Sequence, residues 1–401
     1  MSILFLMKCF GIGGQEMVTL SLAQAFVEHG HRVCICSFSV PDENAAAGCH
    51  KDVKFEILRL PFRYSLAAVK AVRQIIVSES VDIVVNQWGL PFVAAAVLKS
   101  ASTGLNVRIV AVYHNDPRSN ARIKSIDAAI RTTATGVGRR LLRLKRAIVR
   151  YVTSRSMQYV YNNSDRYVLL SERYVTAFAS FCNLSNVSKV RVIPNPVTTT
   201  LGCNISAKST KKENVILYVG RIDTLQKQTQ RVIDVWSRLA DAEPQWQLEV
   251  VGDGEGKPAL EDMVKTRGIA RVSFHGFQSP VEYYRHASML LLTSDFEGFP
   301  LVLAEAMSLG VIPIVYDSFA ALHDIIDDGE NGIIVRRSSA GGFDANNMAE
   351  AARKLMEAPT RRQTMSDAAR LKSRQFSIDN ICRQWEKLFD EMFLHGEDTV
   401  P

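Results

Sequence analysis

Short apolar runs recur along the chain, each ended by a glycine-rich or polar turn and followed by an amphipathic stretch. The first is Ile3-Leu4-Phe5-Leu6-Met7; a glycine-rich turn then leads into a helical pattern over 15–29 that Gly30 ends. Further strands are expected at 33–38, 53–58, 81–86, 107–113, 167–170 and 190–193, with helical stretches between several of them. Strands that are apolar throughout and separated by helices indicate a parallel sheet covered on both faces. Ile193-Pro194-Asn195-Pro196 breaks this pattern, because two prolines flanking an Asn continue neither a helix nor a central strand. A polar segment runs on to Lys212, and the alternation then restarts. Strands are expected at 215–219, 248–251, 272–274, 289–293, 312–315 and 332–335, with a helix over 229–240. The expected organisation is two Rossmann-like, doubly wound α/β domains, 1–194 and 195–376, facing a central cleft. A last helix over 377–394 carries aromatics at 385, 389 and 393, one helical face, and is expected to pack back on the first domain.

The bulk numbers fit this picture. The 401 residues exceed one ordinary core, and 47% hydrophobic with 22% charged residues is a globular composition. The opening apolar run is short and lacks a preceding basic region, so it reads as a strand rather than a secretory leader. No apolar run approaches the roughly 18 residues of a membrane span. The seven cysteines are scattered, form no CxxC pair and show no metal-ligand spacing with histidine. Reduced thiols, no metal and a cytoplasmic setting are expected, with Cys34 and Cys36 on opposite faces of the second strand.

Charge changes the picture in one place. Residues 118–158 hold eleven Lys/Arg against the single acid Asp127, whereas the whole chain is only +7. Within it, Arg139, Arg140, Arg143, Lys145 and Arg146 are interleaved with aliphatic residues. No nucleic-acid motif accompanies them, so nucleic acid is not an expected partner. Two readings stand: a solvated helix face, or docking on an anionic membrane, where each cation contributes about 1 kcal/mol.

Six strand ends carry candidate chemistry. The strand at 289–293 delivers Ser294-Asp295-Phe296-Glu297-Gly298-Phe299-Pro300-Leu301, and a helix opens near Pro300, a residue suited to a first turn. The N–H groups of Phe299 and Leu301 at that helix start suit a phosphate, and Glu305 lies within reach of ribose hydroxyls. After the strand at 215–219 comes Gly220-Arg221-Ile222-Asp223-Thr224-Leu225-Gln226-Lys227, whose Arg and Lys are expected to stand exposed in the cleft and suit a diphosphate. Phe10-Gly11-Ile12-Gly13-Gly14-Gln15-Glu16 lets backbone approach a ligand. Its spacing is not G-x-G-x-x-G, and no acid closes the second strand, which counts against a nicotinamide dinucleotide. His114 follows the strand at 107–113, and Asn86-Gln87-Trp88-Gly89 ends another strand of the same sheet. Gly252 and Gly254, after the strand at 248–251, are expected to let a nucleotide approach the backbone.

With its flanking residues, the Glu297/Glu305 pair, separated by seven residues, resembles the E-x7-E motif of the retaining glycosyltransferase family 4, which has the GT-B fold. Gly220-Arg221 with Lys227 is similar to that family's G-R-x(n)-K motif, although Gln228 stands where Gly or a basic residue is usual. Gly13, Gly14 and Glu16 are similar to its first G-G-x-E loop. The resemblance covers nearly the whole chain, most clearly from 220 to 332. It implies transfer of a hexose or N-acetylhexosamine from a nucleotide diphosphate sugar, UDP favoured over GDP, to a saccharide or lipid-linked saccharide, with retention and without metal or cofactor. It gives Arg221 and Lys227 the leaving diphosphate, Glu297 and His114 the donor sugar, and Glu305 the ribose. Gly13, Gly14, Gly252, Gly254, Gly298, Phe299 and Leu301 fall to substrate binding. The protein would be peripheral on the inner face of the cell membrane. Alternatives are a catalytically silent nucleotide-sugar-binding protein at the membrane, and a GT-B epimerase or phosphorylase.

Overall fold

A computed structural model of the protein describes residues 1–11, 13–40, 49–118, 120–198, 211–338 and 341–394. Ile12 of the first loop, Cys203 and most of the polar segment after Pro196 lie outside the described residues. The chain divides into two compact units, Met1–Pro196 with Ile378–Pro401, and Val197–Ser377.

The first unit holds β1 (Ser2–Cys9), β2 (Arg32–Ser39), β3 (Val53–Ile57), β4 (Ile83–Asn86), β5 (Arg108–Tyr113), β6 (Arg166–Leu169) and β7 (Val190–Val192). They form one sheet in the order β3-β2-β1-β4-β5-β6-β7, every neighbouring pair parallel. The strand order reverses between β1 and β4, whose apolar side chains are buried almost throughout because helices cover both faces. Cys34 and Cys36 are both buried in one core cluster. Positions two apart share a face of a strand, which corrects the expected placement on opposite faces.

The helix Ile378–Leu394 belongs to this unit. Its Trp385 and Phe389 are buried, and the Phe389 ring meets Phe26 of the helix Gly14–Glu28 at 5.6 Å. Two further helices, Ala121–Thr132 and Gly136–Asn162, contain the basic stretch. Asn120 and Thr135 cap them by accepting from the N–H groups of Ile123 and Gly138. Val137, Leu141, Leu144, Ile148 and Tyr151 are all exposed, at spacings of one face of the longer helix. Arg140, Arg143 and Lys145 are exposed beside them. Arg146 instead pairs with Asp127, and the Arg139 guanidinium donates to the carbonyls of Thr133 and Ala134. Two of the five expected docking cations are therefore engaged within the unit.

The second unit holds β8 (Val215–Val219), β9 (Gln247–Val251), β10 (Val272–Gly276), β11 (Met289–Leu292), β12 (Ile312–Tyr316) and β13 (Ile333–Val335). These form a parallel sheet in the order β10-β9-β8-β11-β12-β13, reversing between β8 and β11. The helix expected over 229–240 runs only Gln230–Trp236, and turns continue the chain. Trp236, Leu239 and Ala240 still enter the core with Trp246 and Tyr218, so the apolar pattern reports burial there more faithfully than helix length.

Candidate active site

In an open parallel sheet, the strand-order reversal leaves a crevice at the carboxyl ends of the two central strands. In the second unit those strands are β8 and β11, and they carry the loops 220–227 and 293–300. The first loop is folded by Asp223, whose Oδ1 accepts from the N–H groups of Leu225, Gln226 and Lys227. Burial alone raises the Asp223 pKa, but the Gln226 and Lys227 N–H groups and the Arg221 guanidinium outweigh it and hold the carboxyl below its ordinary value.

The two loops are then zipped together. The Asp295 N–H donates to the Gln226 carbonyl at 2.8 Å, and the Thr293 hydroxyl to the Lys227 carbonyl at 3.2 Å. Gln226 Nε2 donates to the Phe296 carbonyl at 3.2 Å and to Glu297 Oε2 at 3.3 Å. Arg231 Nη1 reaches Asp295 Oδ1 at 2.7 Å and the Thr293 carbonyl at 3.0 Å.

At the centre, Lys227 Nζ donates to Glu297 Oε1 at 2.7 Å, with side chains only 16% and 8% exposed. The spacing of the motifs hides this pair, since its members are 70 positions apart. The pairing corrects the expectation that Lys227 stands exposed in the crevice. Arg221 does stand open: its side chain is 63% exposed, held by Asp223 Oδ2 at 2.9 Å and by Gln226 Oε1 at 3.2 Å.

The helix Leu301–Ser308 begins one residue later than expected, and Pro300 is its N-cap rather than a first-turn residue. Leu301 and Val302 open the helix, where N–H groups lack intrahelical acceptors. Gly298 is buried, and Phe299 is buried with its ring edge-on to Phe376 at 5.2 Å. Glu305 lies in the second turn and is buried, not open to the crevice. Its Oε1 accepts from the Thr198 hydroxyl at 2.7 Å and its Oε2 from the Tyr284 hydroxyl at 3.2 Å. Burial raises its pKa, and the two hydroxyls offset part of that.

Gly252 and Gly254 have positive φ, and a Cβ at either would meet backbone: Gly220 O at 1.9 Å and Ile222 O at 2.4 Å respectively. Their smallness lets the loop after β9 pack on the loop after β8. The close approach that the structure shows is to the backbone of Gly220 and Ile222. His275 faces Glu249 beside His286, a pairing within the sheet end that leaves it structural.

In the first unit, His114 follows β5 and its Nε2 lies 2.6 Å from Gln87 Oε1, just beyond β4. Burial pushes its pKa down to about 4. The ring is neutral at pH 7, and Gln87 assigns its proton to Nε2, leaving Nδ1 as an acceptor. Gln15 Nε2 ties the first helix to the Gln87 carbonyl at 2.7 Å. Gly13 caps that helix and Gly14 begins it; a Cβ on Gly13 would sit 2.7 Å from Glu16 Oε2, so this helix start is overlaid by a carboxylate.

Gln226, Asp223, Asp295 and Arg231 are not found by reading the sequence. An Asp followed by a turn is the only signal for Asp223, and none marks the rest.

Comparison with known proteins decides the class. The family model described as Glycosyltransferase Family 4 matches residues 12–201, and Glycosyl transferases group 1 matches residues 204–372. The chain belongs to the family 4 glycosyltransferases. An uncharacterized glycosyltransferase of Haemophilus influenzae is 24% identical over 95% of this chain and 98% of its own length. A Campylobacter jejuni N-acetyl-D-galactosaminyltransferase named for an undecaprenol-linked acceptor is 27% identical, over 51% of this chain and 56% of that one. The matched segment is only 18% of the length of another curated relative, so matched shares differ widely. A structure of Anabaena Alr3699/HepE with UDP and glucose covers 98% of this chain and 100% of that one, with TM-score 0.72 at 18% identity, and shares the fold. The fold class is GT-B, two Rossmann-like α/β units.

Proposed function

We propose that this glycosyltransferase moves a hexose or N-acetylhexosamine, with retention, from a UDP-sugar to a saccharide or lipid-linked saccharide. The observation that carries this reading is the Lys227–Glu297 pair at the strand-order reversal of the second sheet, beside the helix start at Leu301. Arg221, already exposed, and Lys227 take the diphosphate as the bond from the anomeric carbon to the phosphate oxygen breaks. Their charges stabilise the developing anion, the electrostatic part of catalysis. The acceptor oxygen bonds to the anomeric carbon on the same face, and its proton passes to the departing phosphate oxygen. Glu297 lies beside the developing positive charge. His114 offers Nδ1 to a sugar hydroxyl, whereas the buried Glu305, held by the Thr198 and Tyr284 hydroxyls, braces the helix start at Leu301. Glu16 above Gly13 disfavours an anion at the first helix start, which fits a hydroxyl-bearing acceptor there.

A donor screen tests this. UDP-sugars should raise the melting temperature more than GDP-sugars, since binding to the native state alone stabilises it. Arg221→Ala should leave the melting temperature of the free protein unchanged, because the side chain is exposed, and should lower kcat/KM roughly 10- to 100-fold, equivalent to about 1.5–3 kcal/mol of lost charge-assisted contact. Equal shifts with UDP- and GDP-sugars count against the donor reading, and unaltered turnover in the variant removes Arg221 from it.

The exposed apolar row on the helix Gly136–Asn162 supports docking on an anionic membrane, because Arg140, Arg143 and Lys145 flank it. Among the described residues, no helix is long and apolar enough to cross a membrane. The protein should sediment with anionic vesicles at low salt and be released at about 1 M, where the Debye length falls to roughly 3 Å. Changing these three cations to Gln should abolish sedimentation without altering donor binding. A wild type that ignores anionic vesicles leaves the stretch a solvated face.

A further inference from the structure

The helix Ile378–Leu394 meets the end of the helix Gly14–Glu28 at a cluster that glycosyl transfer leaves unused. His29 Nδ1 lies 2.9 Å from Glu386 Oε1 and 3.6 Å from Cys382 Sγ, and the three ligand atoms all fall within 4.8 Å of one another. His31 Nε2 approaches the same Glu386 oxygen at 3.0 Å. Cys382 and Glu386 are one helical turn apart, so both project from one face. Spacing along the chain conceals the cluster, because His29 and Cys382 are 353 positions apart. The expectation of no metal site rests on that spacing and on the resemblance to a metal-independent family, and the latter concerns the transfer site rather than this cluster.

One imidazole, one thiol and one carboxylate form a mixed nitrogen, sulfur and oxygen set that suits zinc or a similar divalent transition metal. Tetrahedral zinc, with bonds near 2.0–2.3 Å, holds neighbouring ligand atoms roughly 3.2–3.8 Å apart, so only small side-chain shifts are needed. Cys382 is buried beside Trp385 and Phe389, whereas His29 is partly exposed, giving an ion an entry path.

We propose that His29, Cys382 and Glu386 bind a divalent zinc-type cation, with His31 positioning the Glu386 carboxylate. Burial, with Glu386 and Asp379 nearby, pushes the free Cys382 thiol up to about 12. Metal binding releases the thiol proton, because the thiolate is the ligand. A water completes the coordination on the exposed side. The bound ion joins the C-terminal helix to the first helix of the same unit.

The test uses the full chain, stripped with a chelator and titrated with cobalt(II) as a spectroscopic stand-in for zinc. The wild type should develop a thiolate-to-cobalt absorption band that saturates at one equivalent and is displaced by zinc. Zinc should also raise its melting temperature. Cys382→Ser should lose the band and the thermal shift. His29→Gln, at a partly exposed position that leaves the core intact, should weaken cobalt affinity at least 10-fold while circular dichroism stays native. His31→Gln should weaken it less, as expected of a group that only orients a ligand. No thiolate band in the wild type at stoichiometric cobalt, or a band that survives in a folded Cys382→Ser protein, overturns the site.

Discussion

Replacing Glu297 with Gln should preserve the fold and most donor affinity while slowing sugar transfer by roughly 10²–10³-fold, the cost of losing one preorganised electrostatic group. The substitution keeps the shape of the side chain. The new amide oxygen can still accept from Lys227 Nζ, which lies 2.7 Å from the native carboxylate, although Gln226 Nε2 would then face the amide nitrogen and lose its acceptor there. What disappears is negative charge beside the anomeric carbon as positive charge develops there. The effect belongs in kcat, because the interaction strengthens in the transition state, and KM should move little. Single-turnover measurement with saturating donor checks this. Wild-type kcat in the Glu297→Gln variant removes the carboxylate from the chemistry and returns it to a structural partner of Lys227.

How much of this is legible in the sequence follows from the range of the signals. The two parallel sheets are readable because buried strands such as β1 and β4 are apolar along their length, and because Pro194 and Pro196 interrupt the rhythm. The motifs at 220–227 and 294–306 place the candidate residues at the carboxyl ends of β8 and β11, the two strands that flank the order reversal. Partnerships across the chain are not readable. Lys227 with Glu297, His114 with Gln87 and His29 with Cys382 each depend on which strand ends or helices the fold sets side by side. Exposure is misjudged for the same reason. Lys227 and Glu305 look open as isolated polar residues after a strand or at a helix start, yet each is covered once its partner is in place. At Gly252 and Gly254 the need for small size is legible, whereas the backbone of Gly220 and Ile222 that demands it is not.

The largest combined loss of stability and activity is expected from Lys227→Met. Methionine fills much of the volume of the lysine stem but removes the cation, leaving Glu297 buried with Gln226 Nε2 as a remaining neutral donor. Breaking a buried pair by removing one partner costs about 3–5 kcal/mol in well-enclosed cases. Lys227 keeps 16% of its side-chain surface, so solvent screening places the expected loss lower, at about 1–3 kcal/mol. Removing both charges should undo most of that. In the double variant Lys227→Met/Glu297→Gln neither charge of the pair remains, and replacing both partners of a buried interaction is far milder than replacing one. Urea denaturation of the wild type, both single variants and the double variant gives the coupling energy directly. Turnover should behave in the opposite way: the double variant should be no more active than the worse single variant, because diphosphate stabilisation and the carboxylate are both gone. Restored stability without restored turnover separates the catalytic use of the pair from its structural use. If Lys227→Met loses no stability and little turnover, the ammonium contributes to neither, and the diphosphate role passes to Arg221 and the helix start at Leu301.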